Sequence, residues 1–157
     1  MSQTYEPWSA ARAREIIASH LHQEGAALPM LHALQDTFGC VPRQALPLVA
    51  EALNISRAEA HGIVTFYHDF RDAPPGRHVL RLCRAEACQS MGADALAEAA
   101  QKKLGARFGE TTSDGNLTIE PVYCLGLCAC APSAMLDGEP LGRASVEKIK
   151  KLLGVDA

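Results

Sequence analysis

Four cysteines in two widely separated pairs constrain this chain more than any other feature. Cys83 and Cys88 have four residues between them, Cys124 and Cys128 have three, and thirty-five residues separate the pairs. Thiolates packed this closely repel one another unless a cation lies among them. A fold that brings the pairs together therefore has to supply a metal site or keep the thiols protonated.

Each cysteine pair directly follows a segment with the alternation of a strand. These segments are "HVLRLC" (78 to 83) and "LTIEPVYC" (117 to 124). If the two strands are neighbours in one sheet, both following loops lie at the same end of that sheet. We therefore predict that the two pairs form one four-thiol site.

Composition limits what else the chain does. Its 157 residues include 48% hydrophobic residues, which is enough for one domain or two small ones. A net charge of -3 gives no basic surface for nucleic acid. The N-terminus lacks the pattern of a secretory signal and no apolar run reaches membrane-spanning length, so we expect a cytoplasmic protein. Reducing conditions there disfavour disulfides, so the six cysteines indicate metal or redox chemistry.

The spacing leaves several occupants open. Zinc sites use tight turns with two to four residues between ligands, and both pairs fall in that range. The plant-type ferredoxin run would need a cysteine where Met91 stands, and the bacterial run is absent. No histidine neighbours either pair as in Rieske centres, and no C-x-x-C dithiol occurs. An iron–sulfur cluster, a structural zinc and plain thiol chemistry all remain at this point.

Residues 9 to 70 have the period of short helices. We predict a small bundle of four helices. The first is capped by Ser9 and closed by Gly25, and the second runs from Leu28-Pro29 to Gly39. The third holds Leu46, Val49 and Leu53, with Pro47 in its first turn. The fourth is capped by the box Ser56 to Glu59 and has Ala60, Ile63 and Tyr67 inward.

The turn-rich segment "RDAPPGR" (71 to 77) marks a change of period. We predict a helical bundle over residues 1–72 and a second domain over 73–157. In the second we expect a helix over 90 to 105, a hairpin about Asp137-Gly138 and a last helix capped by Ser145. This order of strands and helices indicates an α/β or α+β sheet domain.

The motifs around the cysteines resemble a known family. "CRAEACQ" and "YCLGLCACAP" resemble the [2Fe–2S] subunits that include the 24-kilodalton subunit of respiratory complex I. "LHALQDTFGCVP" and "EAHGIVTFYHDFR" extend the resemblance over the helical half. Within that family, "CRAEACQSMGAD" and "CLGLCACAP" look most like the gamma subunit of soluble, molybdenum-dependent, NAD-linked formate dehydrogenases.

The resemblance implies a thioredoxin-like ferredoxin domain behind the helical bundle. It implies one [2Fe–2S] cluster, held by Cys83, Cys88, Cys124 and Cys128, beside a partner flavin subunit that binds FMN and NAD. Formate oxidation would occur at a molybdenum cofactor elsewhere in the complex, so this chain would transfer electrons without a catalytic side chain. It shows no G-x-G-x-x-G fingerprint and no phosphate loop. The helical bundle is then a hypothetical docking surface for the flavin subunit.

Several neighbours of the cysteines have expected roles. We expect Cys88 to lie just before the helix at residue 90, and Gly126 to let its loop bend and bring N–H groups to the sulfurs. Arg84 either adds a positive charge or is a solvated side chain. Cys130 follows Cys128 by two residues, but the family pattern selects Cys128 as ligand. Cys40 is expected to be a small buried hydrophobe.

Overall fold

The computed structural model describes residues 5 to 155 of the chain. Among these residues, no helix combines the length and the apolar character needed to cross a bilayer. The backbone divides into two compact units between Pro74 and Pro75. That division lies two residues after the end of the predicted helical domain at residue 72. Each unit is described by itself.

The first unit is a helical bundle around one apolar core. Its elements are α1 (Ala10–His20), α2 (Ala27–Phe38), a 3-10 turn (Arg43–Ala45), α3 (Leu46–Leu53) and α4 (Arg57–Phe66). Each helix contributes buried side chains to that core, among them Ile17, Leu34, Val49 and Val64. Burial of one such side chain contributes about 1.5–3 kcal/mol, so the apolar stripes decide how these short helices pack.

Local signals set most of the helix ends. The Ser9 hydroxyl accepts a hydrogen bond from the Arg12 N–H, and Ser56 forms a complete capping box with Glu59. Gly39 ends α2 with a left-handed φ of 78°. A Cβ there would also lie 2.7 Å from the Tyr5 ring. Both the backbone conformation and the lack of space therefore favour glycine at this position.

Two details of the predicted bundle are wrong. Helix α1 ends at His20, and Gly25 lies in the turn that follows, not at the helix terminus. Tyr67 does not face inward: it follows the end of α4 in an extended conformation and is 43% exposed. The buried position belongs to Val64, because the helix stops before Tyr67 completes its apolar face.

The second unit is a four-stranded sheet with three helices. It contains β1 (His78–Cys83), α5 (Glu86–Ser90), α6 (Ala93–Leu104), β2 (Leu117–Val122), a 3-10 turn (Cys128–Cys130), β3 (Ala134–Leu136), β4 (Glu139–Leu141) and α7 (Val146–Leu153). The strand order is β2-β1-β3-β4. Strands β1 and β2 run parallel, and the other neighbours run antiparallel.

The sheet core lies where β1 and β2 meet α6 and α7. Leu80, Ile119, Ala97 and Ile149, one from each of these elements, are fully buried together. Buried strands of this kind are apolar at every position that faces a helix. The core therefore fixes the two strands that lead into the cysteine loops.

The hairpin predicted about Asp137-Gly138 is confirmed. Both turn residues have left-handed φ values, 51° for Asp137 and 88° for Gly138, as a two-residue turn requires. The Asp137 carboxylate accepts a hydrogen bond from the Val79 N–H at 2.8 Å and lies 2.6 Å from His78 Nδ1. The hairpin is thus tied to the start of β1.

The helix predicted over residues 90 to 105 begins three residues later than predicted, and a short helix that was not predicted precedes it. The chain forms α5 first, breaks at Met91 and Gly92, and begins α6 at Ala93. Gly92 has a φ of 86°, which belongs to neither helix. The second strand is also shorter than the predicted 117 to 124, because β2 ends at Val122.

Candidate functional site

The parallel pairing of β1 and β2 brings together the loops that carry the two cysteine pairs. Cys83 is the last residue of β1 and is in register with Val122, the last residue of β2. The Arg84 N–H donates to the Val122 carbonyl at 2.7 Å and prolongs the contact by one residue. Cys124 follows two residues after β2, so both loops begin at one edge of the sheet.

The first pair is buried. Cys83 is 2% exposed and Cys88 is 1% exposed. Cys88 lies inside the short helix α5 rather than just before a long helix, which corrects the expectation from the sequence. The break at Gly92 separates it from α6, so the dipole of that longer helix is not adjacent to Cys88.

The second pair lies on an exposed loop with an unusual backbone. The Sγ atoms of Cys124 and Cys128 are 3.8 Å apart, and both side chains are exposed. Cys124 has a φ of 95° and Gly126 a φ of 75°. The Gly126 N–H donates to Cys124 Sγ at 3.4 Å, which confirms the predicted role of this glycine.

The surroundings of Cys83 favour its thiolate. Burial is the largest single influence and acts to raise the pKa of Cys83, because it penalises the charged form. Hydrogen bonds from the N–H groups of Ala85 and Cys124, and from the side chains of Cys88 and Ser133, outweigh it. The net result is a lowered pKa for Cys83.

The opposite holds for Cys128. Its hydrogen bond with Cys124 raises the pKa of Cys128 first, followed by the charge of Cys124 and by desolvation. The more distant charges of Cys88 and Cys83 raise it further. All four thiols therefore interact electrostatically, and together they cannot all ionise without a compensating cation.

This donor set fits a two-iron cluster. In residues 5 to 155, no three or more His, Cys, Asp or Glu side chains converge as the ligands of one ion. The thiols instead lie as two pairs: the sulfur atoms of Cys124 and Cys128 are 3.8 Å apart, and Cys88 is among the neighbours that lower the pKa of Cys83. A [2Fe–2S] cluster takes four thiolates, two on each iron, so paired donors suit it.

The two remaining cysteines have different surroundings. Cys130 lies in the 3-10 turn, and a Cβ on Gly142 would approach the Cys130 Cβ to 2.8 Å. Cys40 is buried in the helical unit, where burial and then the charge of Asp72 raise its pKa. Burial of Cys40 as a small hydrophobe is confirmed.

Arg84 is not a solvated side chain. Its Nη2 lies 3.0 Å from Asp94 Oδ1, and its guanidinium covers the Phe108 ring at 5.4 Å. Its Nε is buried and has no hydrogen-bond partner among the described residues. Arg84 thus links the end of β1 to α6 and to the loop after α6.

Sequence reasoning missed one residue of the site. Ser133 is 1% exposed, and its Oγ lies 3.3 Å from Cys88 Sγ. It precedes β3, and its carbonyl accepts a hydrogen bond from the Cys83 N–H at 3.0 Å. The sequence does show a lone polar residue between Pro132 and the apolar segment 134 to 136. It does not show that Ser133 contacts Cys88, because that contact depends on strand pairing.

Comparison with known proteins agrees with this geometry. A family model described as thioredoxin-like [2Fe–2S] ferredoxin matches residues 13–155. One subunit of the NADH-quinone oxidoreductase of Pseudomonas aeruginosa is 37% identical over 128 residues, which cover 82% of this chain and 77% of that protein. The NADP-reducing hydrogenase subunit HndA of Solidesulfovibrio fructosivorans is 32% identical and covers 88% of this chain, with 81% of its own length matched.

A solved structure shows the same fold. The crystal structure of an NAD+-reducing [NiFe]-hydrogenase in the H2-reduced state matches with a TM-score of 0.64 and 27% identity over 79% of this chain. The match spans only 21% of that hydrogenase chain. The predicted α+β fold with a thioredoxin-like domain is confirmed, and the chain belongs to the thioredoxin-like [2Fe–2S] ferredoxin family.

Proposed function

We propose that this chain is an electron-transfer subunit that holds one [2Fe–2S] cluster through Cys83, Cys88, Cys124 and Cys128. The observation that carries the proposal is the meeting of two thiol pairs at the ends of the parallel strands β1 and β2. Membership of a [2Fe–2S] ferredoxin family supports the choice of iron over zinc. Such a cluster, when bound, accepts and returns one electron at a time.

Two of the four proposed ligands are buried and two are exposed. Cys83 and Cys88 lie beneath the surface, and main-chain N–H groups of Ala85 and Cys124 stabilise negative charge on the sulfur of Cys83. Cys124 and Cys128 lie on the exposed loop. We infer that the exposed pair faces the redox partner, because an electron leaving there crosses the least protein.

The proposed partner is a flavin subunit that binds FMN and NAD. Relatives of this chain bear the names of NADH-quinone oxidoreductase and NADP-reducing hydrogenase subunits, which supports a multi-subunit, nicotinamide-linked complex. The finer proposal is an NAD-dependent formate dehydrogenase in the cytoplasm, whose molybdenum cofactor lies in another subunit. It rests on the resemblance of "CRAEACQSMGAD" and "CLGLCACAP". The alternative is the equivalent subunit of complex I or of an NAD-linked hydrogenase, and the comparisons fit this alternative equally well.

Reduction of the native complex by different donors separates these contexts. The complex is purified anaerobically, and the electron paramagnetic resonance (EPR) signal of the reduced cluster is followed after addition of NADH, formate or hydrogen. Appearance of the signal with both NADH and formate supports the formate dehydrogenase. A signal with NADH and hydrogen, but not formate, assigns a hydrogenase. A signal with NADH alone that quinone reverses assigns a complex I context.

A further inference from the structure

We propose that the Ser133 hydroxyl donates a hydrogen bond to the sulfur of Cys88 when that sulfur is an iron ligand, and that this bond raises the reduction potential of the site. The inference rests on the proposed function, because the potential belongs to the cluster. Ser133 would then be a positioning and tuning residue for electron transfer.

Sheet pairing fixes the position of Ser133. Strand β3 runs antiparallel to β1, with Ala134 in register with Leu82. The next step along the ladder joins the Cys83 N–H to the Ser133 carbonyl at 3.0 Å. The Ser133 backbone is thus held against the strand end that carries the first proposed ligand.

The hydroxyl of Ser133 is directed at the buried thiols. Its Oγ lies 3.3 Å from Cys88 Sγ. Ser133 is 1% exposed, so water does not compete for this group. A buried hydroxyl without a partner costs free energy, which makes the sulfur contact a required one.

Ligation decides which atom is the donor. Between a thiol and a hydroxyl, either atom can donate. A thiol that binds iron has lost its proton, and its sulfur then only accepts. The hydroxyl of Ser133 must then supply the hydrogen to Cys88.

A donor at this place favours the reduced state. One electron adds one negative charge to the cluster and its thiolates, and hydrogen bonds to the sulfurs are among the factors that set the potential. An O–H dipole directed at sulfur stabilises the more negative state more strongly, and a water-excluded site increases the effect. Removing the hydroxyl should therefore make the potential more negative.

The test makes two comparisons at similar size: wild type with Ser133→Ala, and Ser133→Thr with Ser133→Val. Ser133→Ala removes only the hydroxyl oxygen. Ser133→Thr keeps a hydroxyl, and Ser133→Val has the shape of threonine without one. Thr118→Val is the control, because Thr118 is also buried and hydrogen-bonded but pairs with Val79 near the start of β1.

The potential of each variant is measured by EPR-monitored redox titration of the full-length protein, with iron and sulfide counted in the same samples. For Ser133→Ala and Ser133→Val we expect about a tenfold fall in the equilibrium constant for reduction, which is about 59 mV for one electron. Ser133→Thr and Thr118→Val should keep the wild-type value. If Ser133→Ala fails to assemble, the Thr and Val variants decide the question.

A second readout isolates the hydroxyl. After exchange into D2O, pulsed EPR of the reduced protein should show a deuteron coupling in the wild type and Ser133→Thr that is missing in Ser133→Ala and Ser133→Val. Equal potentials and equal couplings in variants with about two irons and two sulfides would overturn this inference and leave the proposed function intact. Absence of iron and sulfide from the wild type would instead remove the proposed function.

Discussion

The sulfur atoms of Cys124 and Cys128 lie 3.8 Å apart on an exposed loop, and Cys124 carries a left-handed φ of 95° to bring them there. A non-glycine residue at such a φ costs about 1–3 kcal/mol. The buried pair, Cys83 and Cys88, needs no such backbone. Among the four paired cysteines, the strained backbone is therefore confined to Cys124 on the exposed loop.

Cysteine-to-serine substitutions distinguish the four proposed ligands from the neighbouring Cys130. Single changes of Cys83, Cys88, Cys124 or Cys128 to serine should abolish the cluster or alter its absorption and EPR spectra, since a thiolate donor is lost. Cys130→Ser is the matched control and should retain about two irons and two sulfides. A wild-type spectrum in any of the four ligand variants would contradict the assignment.

The close approach of Gly142 to Cys130 predicts that Gly142→Ala destabilises the protein, and that a smaller residue at position 130 relieves the clash. Gly142→Ala places a Cβ 2.8 Å from the Cys130 Cβ and should push the turn that carries Cys128. Overpacking of this kind costs about 1–3 kcal/mol. We expect a lower unfolding midpoint in urea and faster loss of iron on incubation.

The double variant Cys130→Gly, Gly142→Ala removes the opposing Cβ and should recover part of both losses. A cost that simply adds between the two single changes would show that this contact is not the cause. Cys130→Gly alone measures the cost of the new glycine.

Acid sensitivity of the helical unit should depend on Glu59. A main-chain hydrogen bond from Ser56 and a second from its hydroxyl lower the pKa of Glu59 from its ordinary value of 4.5. Its stabilising effect is complete above pH 4.5 and is lost as the pH falls through the lower, folded-state pKa. Glu59→Gln should flatten this part of the profile, measured by far-ultraviolet circular dichroism in denaturant. Superimposable acid profiles would refute the linkage.

Docking of the helical unit on the flavin subunit remains a prediction. Deletion of residues 1 to 70 should abolish binding to that subunit in a pull-down. A finer test is Phe66→Ser, because Phe66 is 74% exposed beside Tyr67, and exposed apolar and aromatic residues are typical of binding surfaces. Leu21→Ser, at a 48% exposed residue after α1, is the control and should bind normally. Full affinity of the truncated chain would remove the docking hypothesis.

Local chemistry made much of the fold predictable. The hydroxyls of Ser9, Ser56 and Ser145 cap helices where the sequence indicates caps, and Asp137-Gly138 makes the expected turn. These signals act over a few residues, so they are readable without tertiary structure. The strand segments before the two cysteine pairs could be read from their alternation, whereas their pairing was an assumption that the parallel register of β1 and β2 bears out.

The errors lie where distant packing decides. Ser133 reaches Cys88, 45 residues earlier, only because β3 pairs with β1. Arg84 is held by Asp94 and Phe108, which its own segment does not reveal. Neither of these contacts can be read from sequence periodicity. The error at Tyr67 is local, because the periodic apolar pattern continues past the end of α4 at Phe66.

Iron, zinc and acid-labile sulfide, counted per chain on anaerobically purified protein, test the central claim most directly. We predict about two irons and two sulfides with no zinc. About one zinc without sulfide would make the four thiols a structural clip. Absence of both metals, with a titratable low-pKa thiol, would indicate thiol chemistry. Either of the last two results would contradict an electron-transfer role.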